Sequence, residues 1–375
     1  MKAKNGLPPN GSGSAHTAGR VHELKSVVAV VAVGVSLGVS AQPNETDAIN
    51  QCREIVDATE RLRCYDALAA SLQKVAPALP AAPAPAPLDR DDPRSALVPD
   101  GKIADDRSLL SQRWELEPED KYGAFKFTYY RPNFLLPVYL ADRINRNPQS
   151  PTRATTPVAP DYNRPEASFQ LSFKLKLAEQ VFGTPSDLWL GYTQLSFWQI
   201  YNNDVSREFR STDFEPELMW IWPTHYSIFG LAGRMFGVGV VHQSNGRELP
   251  LSRSWNRAYV MAGFEHDRFV LTARVWQRIV EESRQDDNPD ISSYVGRAEL
   301  LASYRWRNES STALRLRTTF ARSPSWGSAQ FDYRFPLTEF LQGYVQLFTG
   351  YGDTLIDYNF RKTSIGVGIS IGNWY

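Results

Sequence analysis

The chain has 375 residues with 41 Lys and Arg against 41 Asp and Glu, a net charge of zero. No basic excess points to nucleic acid, and no acidic tail is present. The two cysteines sit close together near the N-terminus, which excludes a catalytic thiol in the remainder of the chain.

Residues 1–41 read as an export signal. Arg20 and Lys25 supply a positive region, Val27 to Gly38 is apolar, and Val39-Ser40-Ala41 has the small residues a signal peptidase requires. The apolar run is too short to span a bilayer comfortably, so cleavage is expected rather than anchoring. Beyond residue 41 no stretch of 18 apolar residues occurs. That leaves a soluble exported protein or a β-barrel, since only helices and closed barrels satisfy their backbone inside lipid.

Residues 42–74 form the next expected unit. Ile49, Ile55, Val56, Leu62, Leu68 and Leu72 recur at roughly helical spacing. On one straight helix Cys52 and Cys64 would stand about 18 Å apart at ~1.5 Å per residue, so a disulfide between them requires a turn. An exported protein favours a helical hairpin closed by Cys52–Cys64; two free thiols on one helix is the competing reading. Residues 75–108, beginning VAPALPAAPAPAP, are a semi-rigid Pro/Ala linker.

From residue 109 to 375 the pattern is that of strands. Phe169, Leu171, Phe173 and Leu175 alternate with Ser168, Gln170, Ser172 and Lys174. Leu314 and Leu316 alternate with Ala313, Arg315 and Arg317, and Ile365, Val367, Ile369 and Ile371 with Ser364, Gly366, Gly368 and Ser370. Long, aromatic-rich alternation suits an antiparallel transmembrane barrel, apolar outside and polar inside. A soluble sandwich has the same period, but the export signal, the strand lengths and the terminal Trp374-Tyr375 favour the barrel.

One hairpin carries chemistry. Between Arg234 and Phe264, Phe236, Val238, Val240, His242 and Ser244 share a face, and so do Asn256, Ala258, Val260 and Ala262. These are the apolar, outward sets; Arg257 and Tyr259 lie opposite. A turn centred on Leu249 sets His242 against Asn256 and Ser244 against Ser254, with opposed Cβ atoms about 5 Å apart. A hydroxyl, an imidazole and an amide then stand in one outward line, the elements of a nucleophilic triad: Ser244 attacks, His242 carries the proton, Asn256 orients the ring. A neutral third member fits a lipid-facing site, where a carboxylate would be costly.

The chain resembles the outer-membrane phospholipase A family. The likeness lies in HQSNGR (242–247) and SRSWNR (252–257), and extends to YTQLSFWQ (192–199), FEPEL (214–218), DDNPDI (286–291) and GYGDTLIDYNF (350–360), roughly residues 110 to 375. It implies a twelve-stranded outer-membrane barrel that hydrolyses the sn-1 and sn-2 acyl esters of phospholipids, the catalytic roles falling on Ser244, His242 and Asn256. It implies Ca²⁺ as cofactor, held by the backbone carbonyl of Arg247 and the hydroxyl of Ser252, with a third ligand from the partner subunit at the position of Ser206. The Gly246 N–H would serve the oxyanion. It further implies a homodimer when active, with Gln194 bonding across the interface; satisfaction of that amide within one barrel competes. Asp287 matches a position that supports calcium affinity. One departure stands out: the family's acidic residue two positions after the loop arginine is Leu249 here, with Glu248 beside it. The N-terminal segment falls outside the resemblance and is expected in the periplasm. The alternative function is a passive porin or transport barrel, which has no use for an outward Ser/His/Asn line.

Overall fold

The computed structural model describes residues 52–53, 55–75, 107–153, 161–282, 286–320, 326–338 and 340–372. The segment expected to be an export signal (1–41), most of the expected linker (75–108) and Trp374-Tyr375 lie outside the described residues. The chain divides into two units, Met1–Pro85 and Ala86–Tyr375.

In the first unit Asp57 starts helix α1 (Ala58–Val75), its carboxylate accepting from the Thr59 and Glu60 amides at 2.9 and 3.0 Å. This side-chain acceptor satisfies amides that the first helical turn leaves unpaired. The chain turns just before it, and Cys52 and Cys64 are joined as a disulfide.

In the second unit the alternating segments form strands. They are β1 (Phe127–Tyr129), β2 (Asn133–Ala141), β3 (Pro165–Ala178), β4 (Asp187–Trp198), β5 (Phe209–Ile228), β6 (Leu231–Ser244), β7 (Ser254–His266), β8 (Phe269–Ile279), β9 (Ala298–Arg305), β10 (Ser311–Thr318), β11 (Gly327–Pro336), β12 (Leu341–Gly350) and β13 (Lys362–Ile371). Each pairs antiparallel with its neighbours, and pairing of β3 with both β2 and β4 closes the sheet. Strands β1 and β2 lie end to end along β3, against Phe173–Leu175 and Pro165–Gln170 respectively. Pro132 falls between them, and a proline cannot donate to the ladder. The closed barrel therefore has twelve staves.

Burial is the inverse of a water-soluble protein. Leu171, Leu218, Val240, Val260, Leu314, Leu347 and Val367 are exposed on the outside. Charges fill the interior: Arg131 reaches Glu217 at 2.9 Å, Arg274 reaches the same carboxylate at 3.1 Å, and Arg257 reaches Glu215 at 3.3 Å. Lipid on the outside accounts for the pattern, because it rewards apolar side chains while the enclosed charges satisfy one another.

The two rims differ. Strands β5 and β6 meet in a turn at Phe229-Gly230, both at positive φ (50° and 81°), which matches the twist of a tight hairpin. Longer segments join β2 to β3, β4 to β5, β6 to β7 and β8 to β9 at the opposite rim. Near the short-turn end the helix α2 (Leu109–Trp114) enters the barrel. Its Leu110 amide donates to Glu265 at 3.1 Å, and Trp114 packs edge-on against Tyr130 and Trp189 with centroids 5.9 Å apart.

Candidate active site

The β6–β7 hairpin carries the site at the long-loop rim. Its register pairs His242 with Asn256 and Ser244 with Ser254. The inward set on these strands, Val241, Trp255, Arg257 and Tyr259, is buried, while Val240 and Val260 are exposed and His242 is exposed beside them. The alternation that sends apolar residues outward thus sends His242, Ser244 and Asn256 outward too.

His242 Nδ1 lies 2.8 Å from Asn256 Oδ1. The Asn256 amide nitrogen donates in turn to Glu281 Oε1 at 2.8 Å. Glu281 stands just past the end of β8, where burial pushes its carboxyl above the ordinary glutamate value, Asp286 adds to the rise and Arg278 opposes it. Ser244 is half-buried between Phe214 on β5 and Ser254 on β7. Its hydroxyl bonds to no side chain among the described residues, the imidazole included. Catalytic contacts of this kind often tighten only around substrate.

The connection from Asn245 to Arg253 is organised by a buried asparagine. Asn245 donates to the Leu251 carbonyl at 2.9 Å and accepts from the Arg253 and Arg247 amides at 2.9 and 3.3 Å. Gly246 has φ +60°, in the left-handed region, and a Cβ there would come 3.0 Å from the Phe214 ring. Its N–H meets no acceptor among the described residues, so it is free for an incoming oxyanion.

Two of the expected calcium ligands converge. The Ser252 hydroxyl donates to Asp287, whose second carboxylate oxygen accepts from Arg153 Nε at 2.9 Å. The Ser150 hydroxyl holds the Asp287 carbonyl at 2.6 Å. Hard oxygens from a serine, a carboxylate and the Arg247 carbonyl are the donor chemistry calcium prefers. Among the described residues no group of three or more His, Cys, Asp or Glu could hold a metal, and Leu249 is exposed, contributing no oxygen from its side chain. Ser206 sits in the β4–β5 connection, its carbonyl accepting from Trp198 Nε1 at 2.7 Å, and it is not hydrogen-bonded to Ser252. Gln194 on β4 bonds within its own barrel, accepting from the Tyr192 hydroxyl at 3.0 Å and donating to Ser196 at 3.4 Å.

Sequence reasoning did not reach Glu281, Asn245 or Arg153. Arg153 and Glu281 lie in connections without periodicity. Asn245 lay within HQSNGR, but side-chain bonding to a loop's own backbone leaves no mark in the pattern.

Compared with known proteins, the chain matches the family model described as phospholipase A1 over residues 110–371. It is 40% identical over 274 residues, 72% of this chain and 71% of the relative, to a putative phospholipase A1 of Neisseria meningitidis serogroup B. It is 34% identical over 217 residues, 58% of this chain and 73% of the relative, to phospholipase A1 of Escherichia coli K12. Among solved structures it resembles the Salmonella typhi outer membrane phospholipase dimer with bound calcium, with TM-score 0.61 and 29% identity over 72% of this chain and 98% of that one. It also resembles an active-site asparagine-to-alanine mutant of Escherichia coli outer membrane phospholipase A, with TM-score 0.63 and 29% identity over 72% of this chain and all of the other.

Proposed function

The chain belongs to the phospholipase A1 family, and from that premise we propose that it hydrolyses phospholipid acyl esters in the outer membrane through Ser244, His242 and Asn256. The observation that carries the reading is the 2.8 Å bond from His242 to Asn256 on the lipid-facing side of the barrel, with Ser244 on the same face of the same strand.

Asn256 Oδ1 accepts the Nδ1–H of His242, which leaves Nε2 unprotonated and able to act as base. Ser244 Oγ attacks the acyl carbonyl as His242 takes its proton. The developing oxyanion is met by the N–H of Gly246. His242 returns the proton to the leaving alcohol of the lysophospholipid, and a water activated by the same imidazole releases the fatty acid. Substrate reaches the site laterally from the membrane, and both sn-1 and sn-2 esters are within its scope.

Ser252, Asp287 and the Arg247 carbonyl would hold calcium, and Ser206 of a second copy would complete the set. Bound there, the ion would supply positive charge that stabilises a developing oxyanion. Ser and carbonyl oxygens are weak ligands, so a site split between two copies ties activity to dimerisation, with Gln194 at the interface. The related dimer with bound calcium supports this arrangement. The domain plan is a cleaved export signal at 1–41, a disulfide-closed periplasmic segment at 42–74, a linker at 75–108 and the barrel at 109–375.

The test is ester hydrolysis by detergent-solubilised protein with and without EDTA. Wild-type turnover lost on chelation, and lost in both Ser244→Ala and His242→Ala with barrel gel mobility intact, is expected. Normal turnover in either variant would eliminate the mechanism.

A further inference from the structure

We infer that Glu281 is a positioning residue of the active site, a carboxylate that fixes the Asn256 amide so that its oxygen, and not its nitrogen, faces His242. The inference rests on the triad reading above.

Asn256 pairs across the sheet with Ile279, the last residue of β8. Glu281 follows two positions later, on the same face. A diagonal neighbour of this kind lies about 7–8 Å away, within reach of a long side chain. The reach is realised in the 2.8 Å bond from Asn256 Nδ2 to Glu281 Oε1.

The chemical consequence follows from donor and acceptor capacity. An asparagine amide offers an oxygen on one side and an NH2 on the other, and nothing in its own chemistry chooses between them. An ionised carboxylate accepts only, so it binds the NH2 and leaves the oxygen turned toward His242 Nδ1. That oxygen selects the tautomer with its proton on Nδ1. A rotated amide would present N–H to Nδ1, put the ring proton on Nε2 and remove the base that Ser244 needs. Glu281 also places negative charge beyond Asn256, which favours the imidazolium formed when Ser244 is deprotonated. The carboxylate that is absent from the third position of the triad is thus present one bond further out, beyond the strand end at the rim, where its ionisation costs less than in the lipid-facing band. Among the described residues, the charged groups acting on it are Arg278, Asp286 and Asp287 from its own segment. Asn256 of β7 faces it, with His242 of β6 behind.

The experiment compares wild type, Glu281→Ala, Glu281→Gln, Asn256→Ala and the Asn256→Ala/Glu281→Ala double variant, with Ser244→Ala as reference. Barrel mobility on gels serves as the folding control. Glu281→Ala should lower kcat about tenfold, the scale of one charge-assisted hydrogen bond, with KM unchanged. The acid limb of its kcat/KM profile should move to lower pH by about half a unit, because an anion that stabilises the imidazolium is gone. Glu281→Gln, which keeps an acceptor but permits the rotated amide, should lose less kcat and show the same shift of the acid limb. In the Asn256→Ala background, removing Glu281 should cost little more. Wild-type kcat with an unmoved acid limb in Glu281→Ala overturns the inference, as does a full additional loss in the double variant. An active Ser244→Ala would instead remove the triad reading on which the inference stands.

Discussion

At the residue scale, hydrogen bonds around His242 choose its tautomer in the proposed mechanism. In that mechanism Asn256 orients rather than reacts, so Asn256→Ala should reduce kcat roughly tenfold, the scale of one hydrogen bond, without abolishing turnover. Ester hydrolysis by a gel-verified folded barrel checks this, and complete inactivity would contradict it. Gly246 is bound by conformation: φ +60° and a Phe214 ring 3.0 Å from the position of a Cβ leave no comfortable place for a side chain. Gly246→Ala adds about 1 kcal/mol of backbone strain and displaces the amide, so kcat/KM should fall several-fold while the barrel still folds. Unchanged kcat/KM would argue against this N–H as the oxyanion donor. The outward line of His242, Ser244 and Asn256 was legible in the sequence because strand alternation fixes the face of every residue once one is known. Glu281 was not legible, because it acts from beyond a strand end, where no period applies.

At the element scale, the hairpin's strands set which groups meet, and the connection from Asn245 to Arg253 sets where the oxygens proposed as calcium ligands point. Asn245 makes three bonds to that connection's own backbone. Asn245→Ala should therefore raise the calcium concentration needed for half-activation, because Arg247 and Ser252 lose their fixed spacing; a calcium titration of purified protein reads it, and an unchanged midpoint would contradict it. The hairpin register was legible from symmetry: a turn centred on Leu249 puts His242 opposite Asn256, and the strands pair that way. The break between β1 and β2 was not read, although Pro132 marks it. Nor was the entry of α2 into the barrel, since six residues carry too little periodicity to announce a helix or its partner.

At the scale of the whole molecule, apolar residues face outward and ion pairs cross the interior. Arg131 and Arg274 converge on Glu217 inside the barrel, so the lumen is occupied by protein charge. The proposed working surface is then the outside, where a second copy would be met under the dimer proposal. Gln194 satisfies its amide within one barrel through Tyr192 and Ser196, so pairing across a dimer would exchange these partners. Ser206 is not hydrogen-bonded to Ser252 within one chain. Ser206→Ala should accordingly weaken calcium activation far more than folding. An unchanged half-activation concentration would count against it as a ligand.

The central claim is that the nucleophile is Ser244, presented to lipid and activated by His242. Treatment with a long-chain alkylsulfonyl fluoride, followed by mass spectrometric mapping, tests it most directly. A single modification at Ser244, loss of activity in step with labelling, and no labelling in folded His242→Ala are expected. Labelling at a different residue, or full activity after stoichiometric modification of Ser244, would contradict it.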